Sequence, residues 1–290
     1  MIGWLDTVVQ GALLGGLYAL FAIGPSLMFG VMRLTNVAHG DFVILAAFGA
    51  FAIASATGAP LAAAALLLLP AAFAAGYALQ CGVLGRTLGK DPLPSLVVTF
   101  GLSIVVQNVL LELFAADPRA LDAGALQTQS LPVVDGLSVG VLPLATFAAA
   151  LALTAAMQWL FGGTAVGRAF RATSDDREIA QLMGLDAQRV YALATAIAFV
   201  PTAIAGLLYG MRTTFSPSDG PALLLYAFEA VVIGGMGSFW GTLVGGLLLG
   251  ITQAVGFRFD PGWGIWFGHV AFLAVLLVRP QGLFPRTRQR

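Results

Sequence analysis

Long apolar runs separated by short polar breaks dominate this chain, and their lengths set its architecture. A helix needs roughly 20 apolar residues to cross a bilayer. Seven segments of that order lie between charges, Pro or Gly: residues 7 to 29, 40 to 57, 61 to 85, 94 to 115, 140 to 161, 189 to 211 and 263 to 279. Between the sixth and the last, residues 223 to 256 ("LLLYAFEAVVIGGMGSFWGTLVGGLLLGITQAVG") are too long for one ordinary crossing and are interrupted at "GGMGSFWG". Irregular backbone at membrane depth is tolerated only where protein or a wet cavity covers it, so that break belongs inside a bundle.

Charge placement orients the bundle, because Lys and Arg near segment ends are retained on the cytoplasmic side. With the C-terminus inside, the inner loops hold eleven cations: Arg33, Arg86, Lys90, Arg168, Arg171, Arg177, Arg189, Arg279, Arg286, Arg288 and Arg290. The outer loops hold three, Arg119, Arg212 and Arg258. That bias requires residues 223 to 256 to start and finish outside, as two short helices or a re-entrant pair turning at "GGMGSFWG". The expected fold is an all-α polytopic membrane protein, residues 1–290 forming one transmembrane domain. It has about eight transmembrane helices, eight or nine membrane elements with the broken or re-entrant pair, and its N-terminus outside.

Composition agrees: 59% of the 290 residues are hydrophobic and mean hydropathy is +0.90, outside the range of a soluble domain with one core. The 14 Lys+Arg match the 14 Asp+Glu, and no basic patch carries interleaved aromatics, so nucleic-acid binding is set aside. The single cysteine, Cys81, lies in an apolar run and reads as a small buried hydrophobe. The start "MIGWLDTVVQG" lacks a basic n-region and a small-residue cleavage site, so the first apolar segment is expected to stay as a membrane helix.

Two connections are long enough to act. The outer one, residues 116 to 139, is polar and suits an extracytoplasmic partner. The inner one, residues 162 to 188, concentrates charge. There Thr173 or Ser174 can cap a helix whose first turn carries Asp175, Asp176 and Glu178. Ile179, Leu182 and Met183 follow at i, i+3, i+4 spacing as one apolar stripe, and Gly184 ends the helix. Two or three turns with a narrow apolar face are not stable alone in water. The stripe needs a groove, on the chain's own inner surface or on a cytoplasmic partner.

Polar residues inside lipid are costly and face a cavity or a protein neighbour. "NVAHGDF" puts Asn36 and His39 at the inner end of the first two helices, with Arg33, Asn36 and Gly40 on one helical stripe. Either they form a hydrogen-bonded turn tying carbonyls or they line an inner gate. Glu229 needs a partner or a wet cavity; a substrate ammonium and backbone freed at "GGMG" both qualify. Gln107, Asn108 and Glu112 pose the same choice, with interhelical hydrogen bonding the plainer reading. Gly237, Gly241 and Gly245, with Gly246 and Gly250, and the pairs Gly11/Gly15 and Gly206/Gly210, recur at the spacing that lets helix backbones approach. Pro25 and Pro201 permit kinks. The nearest match to a phosphate-binding loop, "GGTAVGRAF", has Arg168 followed by Ala and no strand before it, so this chain is not expected to hydrolyse ATP. No metal-ligand or nucleophile-elbow spacing occurs, and His39 and His269 are far apart.

"GRAFRATSDDREIAQLMGLD" resembles the cytoplasmic loop of permease subunits of binding-protein-dependent ABC importers of the branched-chain amino acid family. "GALLGGLYALFAIG", "NVAHGDF", "TFGLSIVVQN" with "DPR", "VIGGMGSFWGTLVGGLLLG" and "RPQGLFP" match the same family in order. The resemblance implies a bacterial inner-membrane permease paired with a second, homologous or identical permease. It also implies two ABC ATPase subunits that hold ATP and Mg, none being held on this chain, and an extracytoplasmic substrate-binding protein. Residues 174 to 186 would be the coupling helix, with Asp176, Glu178, Leu182 and Met183 at the ATPase and Ala180 and Gly184 allowing close approach. Asn36, His39, Gln107 and Glu229 would line the translocation pathway. The same family includes permeases for urea and short amides. An ion-coupled secondary transporter or a passive channel is the rival class, and neither needs the charged inner loop.

Overall fold

The computed structural model describes residues 2–58, 60–89, 91–134 and 137–284. Lys90, Pro285, Arg286, Arg288 and Arg290, invoked above for the charge bias and the closing motif, lie outside the described residues. The apolar runs form α1 (Ile2–Met32), α2 (His39–Thr57), α3 (Leu61–Gly82) with a 3₁₀ turn (Leu84–Arg86), α4 (Leu93–Phe114), and, after the first long connection, α6 (Val141–Gly163). That connection holds a one-turn helix α5 (Ala125–Thr128) and an antiparallel hairpin, β1 (Ser130–Val134) with β2 (Leu137–Gly140). The second long connection holds α7 (Ala165–Asp175) and α8 (Arg177–Leu182). Then come α9 (Ala187–Arg212), α10 (Gly220–Gly234), α11 (Phe239–Phe259) and α12 (Trp263–Val278).

Among the described residues seven helices are long and apolar enough to cross a membrane: α1, α2, α3 with its 3₁₀ turn, α4, α6, α9 and α11. α10 and α12 are apolar but shorter, at 15 and 16 residues. At 1.5 Å per residue α10 spans only about 22 Å, less than a hydrocarbon core of about 30 Å. The predicted break is real: Gly235 and Gly237 take φ of 100° and 82°, backbone that a side chain would strain, and the chain reverses between α10 and α11.

α1 is the axis of the bundle, buried along most of its length and packed by α11, α9, α6 and α10. α3, α4 and α6 bury only one face each and turn the rest outward. Glycine explains how α1 and α11 approach. A methyl at Gly15 would sit 2.6 Å from Gly246 O, and one at Gly11 2.7 Å from the Cα of Ile251. Gly250 meets the backbone of Gly11 and Gly15 in the same seam. The four-residue series splits between two neighbours: Gly246 and Gly250 face α1, whereas Gly241 and Gly245 face Gly234 and Ala230 of α10. Gly237 rests on Gly30 of α1, and Gly206 packs on Val43 and Ala46 of α2. Close backbone approach gains dispersion contacts that bulkier side chains forbid.

Four expectations are corrected. Arg33 (φ 52°) ends α1, and residues 33 to 38 are not helical, so Arg33, Asn36 and Gly40 share no helical stripe. Nor does "NVAHGDF" sit near water. The link turns back into the bundle, and His39 bonds Phe21 O, eleven residues (about 16 Å of helix) short of the end of α1. Asn36, His39 and Asp41 are buried. The charged inner connection forms two helices rather than one starting at 173 or 174: Thr164 caps α7 by accepting from Gly167 N at 3.1 Å, and Thr173 and Ser174 lie in the last turn of α7. Cys81 is exposed, while its neighbour Gln80 and Gly76 of α3 are buried against the bundle.

Arg33, Arg86, Arg168, Arg171, Arg177, Arg189 and Arg279 share one end of the bundle, hereafter the basic end. Arg119, Arg212 and Arg258 lie at the other. There residues 119 to 127 are tied onto the end of α9 by Arg119 N to Phe215 O (2.9 Å), Phe215 N to Arg119 O (2.8 Å) and Gln127 Nε2 to Met211 O (2.8 Å).

Candidate functional site

α8 is six residues long and is fixed at both ends by local chemistry. Asp176 is extended and its Oδ1 accepts from the amides of Glu178 (2.9 Å) and Ile179 (3.0 Å), two of the donors a helix start leaves free. At the other end Gly184 takes φ 87°, its N–H reaching Gln181 O (2.9 Å) while Leu185 N reaches Ala180 O (3.0 Å). That pair of bonds is the glycine-terminated C-cap. Ser174 Oγ donates to Gly30 O at 2.9 Å, tying the end of α7, and so the start of α8, to α1.

The apolar stripe predicted for this helix points outward. Ile179, Leu182 and Met183 are 60%, 86% and 80% exposed, whereas Ala180 is buried. Asp176 and Glu178 are exposed beside them, and nothing lies within 4 Å of the position a methyl on Gly184 would take. Of the two small residues, Gly184 alone is open to a neighbour, while Ala180 packs toward the chain itself. Three exposed apolar side chains on a polar loop are not used in the packing of the described residues.

The second feature is a polar cluster inside the apolar bundle. Asn36 Oδ1 accepts from Ala38 N at 3.1 Å, making the turn that starts α2. His39 fills a notch at Gly24 of α1, with Nε2 3.2 Å from Phe21 O and 3.5 Å from Thr202 Oγ1 of α9. Gln107 of α4 donates to Asp41 Oδ1 at 2.9 Å and to Ser103 Oγ at 3.1 Å, an interhelical bond. Asn108 instead donates to Ile104 O of its own helix, and Glu112 is exposed. Asp41 also lies against Gly220 at the start of α10, where no side chain fits between them. Its carboxylate thus faces the amide-rich ends of two helices, where negative charge is favoured. Asn36 Nδ2, His39 Nδ1 and Asp41 Oδ2 remain without partners.

Glu229 meets neither backbone at the break nor open space. Its Oε1 lies 2.5 Å from His269 Nδ1 of α12, while Oε2 has no partner. Nearby, Tyr18 Oη donates to Gln253 Oε1 at 2.6 Å and stacks on Tyr226 at 4.8 Å. Asp41 and Gln107 therefore form one pair between α2 and α4, His39 turns to the other side of α2 against α1 and α9, Asn36 holds the turn before α2, and Glu229 belongs with His269. Sequence reasoning passed over Asp41, Thr202 and Gln253, and weighed His269 only as a metal ligand. Gln253, a lone amide in "GITQAVG", carried the same signal as Gln107.

The family model described as "Branched-chain amino acid transport system / permease component" matches residues 7–278. The chain is 30% identical to the high-affinity branched-chain amino acid transport system permease protein BraD of Pseudomonas aeruginosa, over 98% of this chain and 96% of that protein. It is 30% identical, with the same coverage, to the high-affinity branched-chain amino acid transport system permease protein LivH of Escherichia coli K12. Among solved structures, PsaBC from Streptococcus pneumoniae in complex with Fab aligns with 97% of both chains at 14% identity and a TM-score of 0.49. With a match over nearly its whole length, this chain belongs to the branched-chain amino acid transport permease family.

Proposed function

We propose that the chain is one permease subunit of a binding-protein-dependent ABC importer that moves branched-chain or similar hydrophobic amino acids across a bacterial inner membrane by alternating access. The exposed Ile179–Leu182–Met183 surface of α8 carries this reading. A rigid, doubly capped helix tied to α1 and presenting apolar side chains at the basic end fits a partner that must push or pull on the bundle. The partners in this reading are a second permease, two ATPases holding ATP and Mg, and an extracytoplasmic binding protein. The basic end is cytoplasmic, by the positive-inside rule, and the N-terminus is outside. The names of BraD and LivH support the substrate class. Asn36, His39, Gln107 and Glu229 are assigned to the pathway wall, supported by the unpaired polar atoms that Asn36, His39 and Glu229 hold within the membrane.

Cysteine cross-linking tests the proposal. In a Cys81→Ser background, Leu182→Cys is expected to cross-link to an ATPase subunit encoded beside this chain, and Leu182→Asp to abolish leucine uptake with the protein still in the membrane. Labelling of that cysteine only from outside the cell, or full uptake by Leu182→Asp, would overturn it.

A further inference from the structure

Gln80 is buried in α3, and its Oε1 accepts from Thr195 Oγ1 of α9 at 2.8 Å. Its Nε2 has no partner. The residue lines a cavity of about 220 Å³ at the basic end, between α3, the 3₁₀ turn, α8 and α9, shared with Cys81, Arg86, Arg177, Gln188 and Tyr191. At roughly 30 Å³ per water, that space is about seven waters' worth. The lining contains two guanidinium groups and no carboxylate. Arg177 lies 5.9 Å from the centre of the Tyr191 ring, and neither Arg86 nor Arg177 makes an ion pair among the described residues. Two nearby acids are engaged elsewhere: Asp186 pairs with Arg189 at 3.1 Å, and Asp176 Oδ1 accepts the first amides of α8.

Two exposed guanidinium groups without an ion pair, beside a buried amide donor and in a pocket at the edge of a membrane bundle, suit one chemistry: an oxyanion with several acceptor oxygens. We propose that this cavity binds a phosphate group, supplied by the headgroup of an anionic phospholipid or by free inorganic phosphate. Arg177 opens α8, Arg86 ends the 3₁₀ turn after α3, and Gln80 lies on α3 itself. A phosphate held by Arg86 and Arg177, beside the buried amide of Gln80, ties the exposed helix α8 to the membrane helices. Binding is independent of the transport reading and is measured without any partner subunit.

Cys81 is the single cysteine of the chain and lines the cavity, so its alkylation reports occupancy. The full chain is placed in nanodiscs of phosphatidylcholine, of phosphatidylcholine with phosphatidylglycerol, or of phosphatidylcholine with sodium phosphate, against sodium chloride of equal ionic strength. Maleimide labelling is expected to slow about tenfold when the anion stands near ten times its dissociation constant. Protection by phosphatidylglycerol alone identifies a lipid site; protection by inorganic phosphate in phosphatidylcholine identifies a soluble one. Arg86→Gln with Arg177→Gln is expected to label at the unprotected rate under all conditions. Equal protection by chloride, protection by neither anion, or protection that survives the double variant overturns the proposal. Should the double variant fail to fold, native mass spectrometry of the unaltered chain decides: it must retain phosphatidylglycerol over phosphatidylcholine or take up phosphate, and retention of neither overturns the site.

Discussion

Nδ1 of His269 stands 2.5 Å from Oε1 of Glu229, and through this one contact α12 is joined to a carboxylate buried in α10. α12 otherwise turns Trp266, Val270, Leu273 and Leu277 outward, so the imidazole is its main polar hold on the bundle. His269→Ala leaves the buried carboxylate without a partner, whereas Glu229→Gln removes the charge and keeps an acceptor. The first is expected to lower stability by about 2 kcal/mol and the second by less. The double variant is expected to recover part of the loss, as residues sharing one contact do. Thermal unfolding in one detergent, read for all three variants, checks this; equal losses for His269→Ala and Glu229→Gln would count against it.

Gly250→Ala is expected to cost about 1–3 kcal/mol, because the new methyl meets the backbone of Gly11 and Gly15, which cannot rotate out of the way. Gly101→Ala is the control: the glycine lies in α4 with nothing within 4 Å, and alanine there is expected to be neutral or to stabilise by up to about 1 kcal/mol. Melting temperatures of the two variants should move apart. Similar shifts would mean that the α1–α11 seam is looser than its geometry states.

Capping of α8 is testable without any partner. Asp176→Ala removes the acceptor of two amides at a cost of about 1 kcal/mol to the helix. Gly184→Ala forces a side chain onto a residue at φ 87°, at a similar cost of about 1–2 kcal/mol. Since only Ala180 of α8 is buried, global melting should hold while amide exchange across residues 177 to 183 accelerates. Unchanged exchange in both variants would remove the case for a pre-formed docking helix.

Much of the bundle was legible because lipid imposes length: the seven segments read from the sequence each correspond to a helix, ending within about one turn of it except at the start of α1, and the break at "GGMGSFWG" lies between α10 and α11. The glycine series was legible too, since spacing of four places small residues on one seam. Its division between α1 and α10 was not, because a helix face is assigned only by its neighbours. The stripe of α8 could be read, but its cap could not. Thr173, Ser174 and Asp176 are all good cap residues, and the choice falls to Asp176 because Thr164 has already started another helix. The return of residues 33 to 38 carries no local signal. It rests on His39 reaching Phe21 and Thr202, 18 and 163 positions away.

That same return bears on how the chain is made. Arg33, Asn36, His39 and Asp41 leave the ribosome long before α9 and α10, which supply Thr202 and Gly220. At roughly 5–20 residues per second, 163 residues of delay last roughly 10 to 30 seconds. Throughout that interval the polar head of α2 has only part of its cradle, Phe21 O and Gly24 of α1 and then Gln107 of α4, and its final seating waits on Thr202 and Gly220. The last of its packing and hydrogen-bond partners come with the second half of the polypeptide.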